Sequence, residues 1–158
     1  MSLVTKMISA ILCILAFSSG ASPQAISTSS LRSSFKLGYV KNGDIGCGCS
    51  FARNKAELQN RRYLYIHGMD ESAYINVNGK NIKLHRFAPI YEPIREKIGQ
   101  RSWGKFTAGN IKIRLEKTVT KICDPNDEDC EVTNYKATMT VTKKAQKIIV
   151  KLIGLCGC

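Results

Sequence analysis

Carboxylates are scarce in this chain. Its 158 residues hold 12 Asp plus Glu against 24 Lys plus Arg, a formal charge of +12. Such an imbalance favours anionic partners (lipid head groups, envelope polymers, acidic glycans) and makes a basic protein a poor one. Histidine is scarcer still: only His67 and His85 occur, and neither stands in HExxH or beside an evident nucleophile. There is no GxSxG elbow and no phosphate-cradling glycine loop. Glu92 and Glu96 are four residues apart, but Arg95 and Lys97 interleave with them, the pattern of a solvated helix face. No catalytic residue and no cofactor are expected, and the chain reads as non-enzymatic. Long apolar runs are missing too. Met7 to Phe17 is the apolar stretch, and it is shorter than the ~20 residues a membrane-spanning helix needs.

That stretch has another reading. Lys6 precedes it and Ser18-Ser19-Gly20-Ala21 follows, the charged, apolar and small-residue regions of a secretory signal. Cleavage is expected after Ala21, with no transmembrane segment left. Residues 22–34 are Ser-rich and are expected to form a flexible leader. A single β domain is expected over 35–158. Its length suffices to bury a core. Loss of Lys6 leaves a charge of +11.

Cysteine is plentiful by contrast. Of seven, Cys13 falls in the signal. The six that remain are an even number in an exported chain, which reads as three disulfides and as a periplasmic or secreted location. Cys47-Gly48-Cys49 and Cys156-Gly157-Cys158 are matched tripeptides. In an extended segment both cysteines of such a tripeptide point to one face. Antiparallel pairing of the two segments joins Cys47 to Cys158 and Cys49 to Cys156; parallel pairing joins Cys47 to Cys156 and Cys49 to Cys158. Either leaves Cys123 and Cys130 to close a short loop. The four Cys-Gly-Cys thiols could instead hold a metal, but zinc motifs space their cysteines by two to four residues, and export favours oxidation.

The chain between them alternates. Ala73 to Leu84 carries Asn78-Gly79 between period-two runs, a strong hairpin signal. It pairs Val77 with Lys80, Ile75 with Ile82 and Ala73 with Leu84, and it sets Tyr74 opposite Lys83 and Asn76 opposite Asn81. Further alternation covers Ile111 to Glu116 and Tyr135 to Thr142; Lys147 to Leu155 is a β-branched run leading to the terminal cysteines, and Arg62 to Gly68 reads as another strand, where Tyr63, Tyr65 and His67 share a face. The strand phase changes between Leu115 and Ile122, and Cys123 with Cys130 has an odd sum where the flanking apolar faces need an even one, so either a β-bulge there or a bridge lying outside the ladder is expected. Helices are expected at Asn54–Asn60 and Pro89–Ile98. The sum is an all-β, mainly antiparallel, disulfide-stabilised barrel or sandwich with one or two short helices, its last strand bonded to its first.

Candidate ligand residues combine positive charge with aromatic rings: Arg61, Arg62, Tyr63, Tyr65, Tyr74 and Lys83, then Arg101, Trp103 and Lys105. The rings could equally fill the core. The acidic run Asp124, Asn126, Asp127, Glu128 and Asp129 is a weak calcium candidate, since hard oxygen donors cluster inside the Cys123–Cys130 bracket. It lacks an EF-hand's glycine and distant glutamate, and a polar turn explains it as well. No other metal site is expected.

The Cys47–Phe51 segment, the Val119–Glu131 segment and the closing Cys156-Gly157-Cys158 resemble those of bacterial exported proteins with paired Cys-Gly-Cys motifs. The resemblance implies a bacterial source and export, and brings no activity. Over Ala73–Leu84 the chain is also similar to the hairpin of the periplasmic inhibitors of C-type lysozyme, which are small β-barrels. The Ser-Gly loop of those inhibitors has no counterpart between Phe87 and Lys105, so no inhibitory residue is carried over. The expected function is therefore an exported binding or structural module for an anionic envelope polymer, lipid or extracellular ligand, with nucleic acid disfavoured. The alternative is a periplasmic protein inhibitor or interaction partner using the Pro89–Phe106 segment. A hydrolase with an unrecognised site ranks last.

Overall fold

The computed structural model describes residues 34–42, 46–70, 72–87, 96–123 and 130–158. The expected signal, nearly all of the leader, the acidic run 124–129 and most of the second expected helix lie outside the described residues.

Among the described residues nine strands and one helix follow in order. They are β1 (Leu37–Gly38), β2 (Gly48–Ala52), α1 (Lys55–Gln59), β3 (Tyr65–Gly68), β4 (Ala73–Val77), β5 (Lys80–Arg86), β6 (Arg101–Ala108), β7 (Ile111–Lys121), β8 (Val132–Lys143) and β9 (Gln146–Gly157). Strands β2 to β9 run in sequence order around a closed, eight-stranded antiparallel barrel, and β9 returns to β2. Closure leaves these eight strands no open edge. Strand β1 pairs with the last two residues of β4, beyond the point where β3 stops.

The best-marked hairpin forms in the expected register, with all five pairs from Val77↔Lys80 to Ala73↔Leu84. Asn78 and Gly79 both take positive φ, 53° and 82°, as a two-residue primed turn requires. The barrel closes by the antiparallel alternative. Cys49 lies opposite Cys156 in the β2–β9 ladder, and disulfides join Cys49 to Cys156 and Cys47 to Cys158. The parallel pairing and a thiolate metal site are set aside. Cys123 and Cys130 form the third bridge. The β7–β8 register shifts between Val119 and Lys121, within the interval where the phase change calls for a bulge. The shift changes the parity of the paired residue numbers, as a bridge between residues 123 and 130 needs.

One expectation changes and one strand was not anticipated. The strand expected from Arg62 begins at Tyr65, so Tyr63 precedes it. Strand β6 carries no apolar alternation that marks it in sequence, because its inward positions are Ser102, Gly104 and Phe106. Helix α1 is short but well ended. The Asn54 side chain accepts from the Glu57 N–H at 2.9 Å, and the Glu57 carboxylate accepts from the Arg53 N–H at 3.1 Å, a near relative of the capping box.

Inside, the barrel is filled. Phe51, Tyr65, Ile75, Leu84, Phe106, Ile113, Met139, Val141 and Leu152 are each at most 2% exposed. The Phe51 and Tyr65 rings meet edge-on at 6.0 Å, and Tyr65 lies 5.7 Å from Phe106. Only about 20 Å³ stays open among them. Eight strands enclose just enough room for side chains or one small ligand, and here side chains take it. Gly154 is where this packing is tightest. A Cβ there would lie 2.3 Å from Phe51 Cδ1 and 2.5 Å from the Ser50 carbonyl oxygen.

Candidate binding face and barrel mouth

Directly opposed residues in an antiparallel ladder share a face, so the register reads the outer surface of β6–β9 row by row. One row runs Arg101, Thr118, Lys136, Ile153; the next Trp103, Glu116, Thr138, Lys151. Then come Lys105, Arg114, Thr140, Ile149 and Thr107, Lys112, Thr142, Lys147. Of these sixteen positions seven are Lys or Arg and one, Glu116, is a carboxylate. Glu116 is already engaged, at 2.7 Å from Arg114. Seven of the 24 Lys and Arg that look evenly spread along the sequence are thus brought side by side on one surface.

That surface is not flat. Arg53, Arg101, Trp103, Lys136, Thr138 and Lys151 line a hollow of about 560 Å³. A second hollow of about 370 Å³ lies between Phe87, Lys105, Lys112, Arg114, Thr140 and Thr142. Trp103 belongs to the first, and Lys105 and Arg114 of the second lie 5.4 and 5.5 Å from its ring centroid. The cations therefore sit against an aromatic ring, and Lys151 Nζ donates to the Thr138 hydroxyl at 3.0 Å.

The nine expected ligand residues do not form one patch. Arg101, Trp103 and Lys105 belong to the face just described. Tyr74 and Lys83 face each other on the outside of β4–β5, 6.0 Å from ring centroid to Nζ. Arg62 stacks on Tyr39 at 4.2 Å near α1, where Arg61 is exposed and Tyr63 half-buried. Tyr65 is a correction: it is wholly enclosed in the barrel, because β3 turns its odd-numbered residues inward. The calcium candidates Asp124, Asn126, Asp127, Glu128 and Asp129 lie outside the described residues. So do residues 89–95 of the segment expected to serve a protein partner, while Arg101–Phe106 of that segment is barrel wall.

Sequence reading missed Arg53, Lys112, Arg114, Lys136, Lys147 and Lys151 as members of a site. For Lys112, Arg114 and Lys136 the signal was present as the polar phase of two alternating strands, while Lys147 and Lys151 lie in a β-branched run and Arg53 between β2 and α1. That signal lacked the strand partners that set those phases side by side.

A second feature lies at the disulfide-bonded end of the barrel. There the inward rows stop being apolar. Tyr65 is followed by His67 on β3, Leu84 by Arg86 on β5, and Leu115 by Lys117 on β7. His67, Arg86 and Lys117, with Cys49, Glu96, Glu131, Thr133, Tyr135 and Cys156, line a cavity of about 570 Å³. The Tyr135 hydroxyl donates to the Glu96 carboxylate, Lys117 Nζ lies 4.7 Å from the Tyr135 ring centroid, and the His67 ring meets Phe106 edge-on at 5.6 Å. The Tyr65 hydroxyl, His67 Nε2 and Arg86 Nε are all beyond the reach of solvent.

Disulfides are compatible with an extracellular or periplasmic setting. No helix among the described residues is long and apolar enough to cross a membrane. Set against protein-family models, curated proteins and solved structures, the chain finds a match in none of the three.

Proposed function

We propose that this domain is an exported, non-enzymatic binding module that holds an acidic polysaccharide of the envelope or extracellular space along the outer face of β6–β9. The observation that carries this reading is the face itself, with seven cations and one carboxylate in sixteen adjoining outward positions. Each exposed charge contributes little alone and is screened by salt. Gathered on one surface, they form an attractive potential for a polyanion. Two features favour a polymer over a bilayer. The face is hollowed rather than flat, and Trp103 with five threonines offers a ring for sugar stacking and hydroxyls for hydrogen bonds.

The test uses polygalacturonate, with phosphatidylglycerol vesicles as the lipid arm. Polygalacturonate is expected to bind at low ionic strength and to release as salt rises. The double variant Lys136→Glu/Lys151→Glu is expected to bind about tenfold more weakly, while Lys83→Glu, outside the β6–β9 face on β5, binds as the parent does. Equal binding by the double variant overturns the assignment to this face. Vesicle binding without polygalacturonate binding overturns the ligand class.

A further inference from the structure

A polyanion on the β6–β9 face can run across the strands or along them, and the register separates the two. Across the strands, the four outward rows hold two, one, two and two cations. Along β8 a chain starts at Lys136 and keeps Arg114 and Lys112 of β7 on one side and Lys151 and Lys147 of β9 on the other. It meets five of the seven cations, none more than one strand away, about 4.8 Å. A path along β7 reaches as many, but it crosses Glu116 directly. On the β8 path Glu116 lies to one side, held by Arg114 at 2.7 Å.

The hollows follow the same line. Lys136 and Thr138 line the first, and Thr140 and Thr142 line the second. Strand β8 therefore gives successive outward residues to both. Lys136 to Thr142 is six steps along the strand, about 20 Å. Each hollow also has a ring of its own, Trp103 in the first and Phe87 in the second. Phe87 is 73% exposed and so open to a ligand. Its N–H donates to the Lys105 carbonyl at 2.9 Å, which pins its backbone to the edge of β6. Both hollows thus combine the same parts: a ring, threonine hydroxyls and cations.

Building on the acidic-polysaccharide reading above, on which this step rests, we propose that the two hollows are tandem subsites of one groove. The polymer lies parallel to β8, with one acidic sugar against Trp103 and a later one against Phe87. Cations of β7 and β9 meet its carboxylates from both sides, the rings take the apolar faces of the sugars, and the β8 threonines meet the hydroxyls. Phe87 is then a specificity residue for chain length, since only an oligosaccharide that reaches both hollows gains from both.

Galacturonate oligomers of two and of six sugars are titrated into the oxidised protein by calorimetry over a range of salt. The parent is expected to bind the hexamer at least about tenfold more tightly than the dimer. Length alone also adds charge, so the deciding variants leave charge untouched. Phe87→Ala and Thr138→Val/Thr140→Val should each weaken the hexamer about tenfold and leave the salt dependence as it is in the parent. Should Phe87→Ala fail to fold, the threonine pair carries the test. The inference is overturned, with the function left standing, if the hexamer binds no more tightly than the dimer or if either folded variant binds it as the parent does. If neither the hexamer nor polygalacturonate binds the parent, the function falls and the groove with it.

Discussion

The two halves of the barrel are built differently. Strands β2–β5 are 4–7 residues long, and β6–β9 are 8–12. In the short half part of the outer surface is covered: Ser50, Ile66 and Asn76 face away from the core yet are at most 8% exposed, and only β5 turns exposed residues outward, at Asn81, Lys83 and His85. Asn76 tolerates this because its amide donates to Asn81 Oδ1 at 3.0 Å and because Gly38 on β1 leaves room for it. In the long half the outer surface is open, and lysine and arginine occupy it. Residue type follows cover: a charge is cheap only where water keeps reaching it. The half free to carry charge is therefore the half available to an anionic ligand.

The halves meet at two seams of unequal strength. At β2–β9 there are five paired residues and two disulfides. At β5–β6 there are two paired residues and one further hydrogen bond, from the Phe87 N–H to the Lys105 carbonyl. The largest expected effect comes from opening the strong seam. Its bridges close loops of 111 and 107 residues, and one such loop stabilises by about 4–5 kcal/mol in the chain-entropy model. Replacing all four cysteines at residues 47, 49, 156 and 158 by alanine should lower the unfolding free energy by that amount, measured in urea. Removing only one bridge should cost far less, since the other still closes nearly the same loop. Removing the seven-residue Cys123–Cys130 bridge should cost about 2.5 kcal/mol. If the fourfold variant loses no more than the Cys123–Cys130 variant, the ladder alone holds the seam.

Much of this architecture is legible in the sequence, and the boundary of what is legible has a physical cause. The Asn78-Gly79 hairpin could be read because turn chemistry and apolar phase agree over a few adjacent residues. The disulfide pairing could be narrowed to two choices because Cys-Gly-Cys fixes two sulfurs on one face. The bulge at Val119–Lys121 showed as a change of phase. The binding face did not show, because alternation tells which residues point outward and not which strand lies beside which. Lys136 and Arg101 are 35 positions apart and come together only through Thr118. Strand β6 was hidden for the opposite reason, since its inward row is small rather than apolar. Tyr65 was ambiguous until β3 had a neighbour.

A smaller effect examines how the halves fit across the strong seam. Gly154 on β9 lies under Phe51 of β2, and no side chain has room there. Gly154→Ala should destabilise by roughly 1–3 kcal/mol through overpacking, whereas Thr140→Ala on the open face of the long half should stay within about 0.5 kcal/mol. Adding Phe51→Leu to Gly154→Ala should recover only part of the loss, because the Ser50 carbonyl oxygen remains in the way. Full recovery would mean that the ring alone sets the constraint. Equal losses at residues 154 and 140 would erase the distinction between a packed seam and an open face.

The smallest effect belongs to the short half, where Glu57 ties α1 to the chain leaving β1. Desolvation pushes its carboxyl upward, but the Tyr39 hydroxyl, the Arg53 N–H and the Arg53 guanidinium outweigh that and hold it below the ordinary value of 4.5. Tyr39 donates to Oε1 at 2.9 Å and the Arg53 N–H to Oε2 at 3.1 Å. A carboxyl depressed in the folded state contributes stability in full above its unfolded value, and the contribution disappears as pH falls through the folded one. Glu57→Gln should therefore unfold more easily than the parent at neutral pH, by a few tenths to about 1 kcal/mol for a half-buried group near the surface. The gap should narrow once the pH drops below 4.5 and close as the parent's own carboxyl takes up its proton. Urea midpoints of both proteins across that range decide the matter. A gap that persists in acid would assign the role of Glu57 to packing, and one that widens would reverse the sign argued for it.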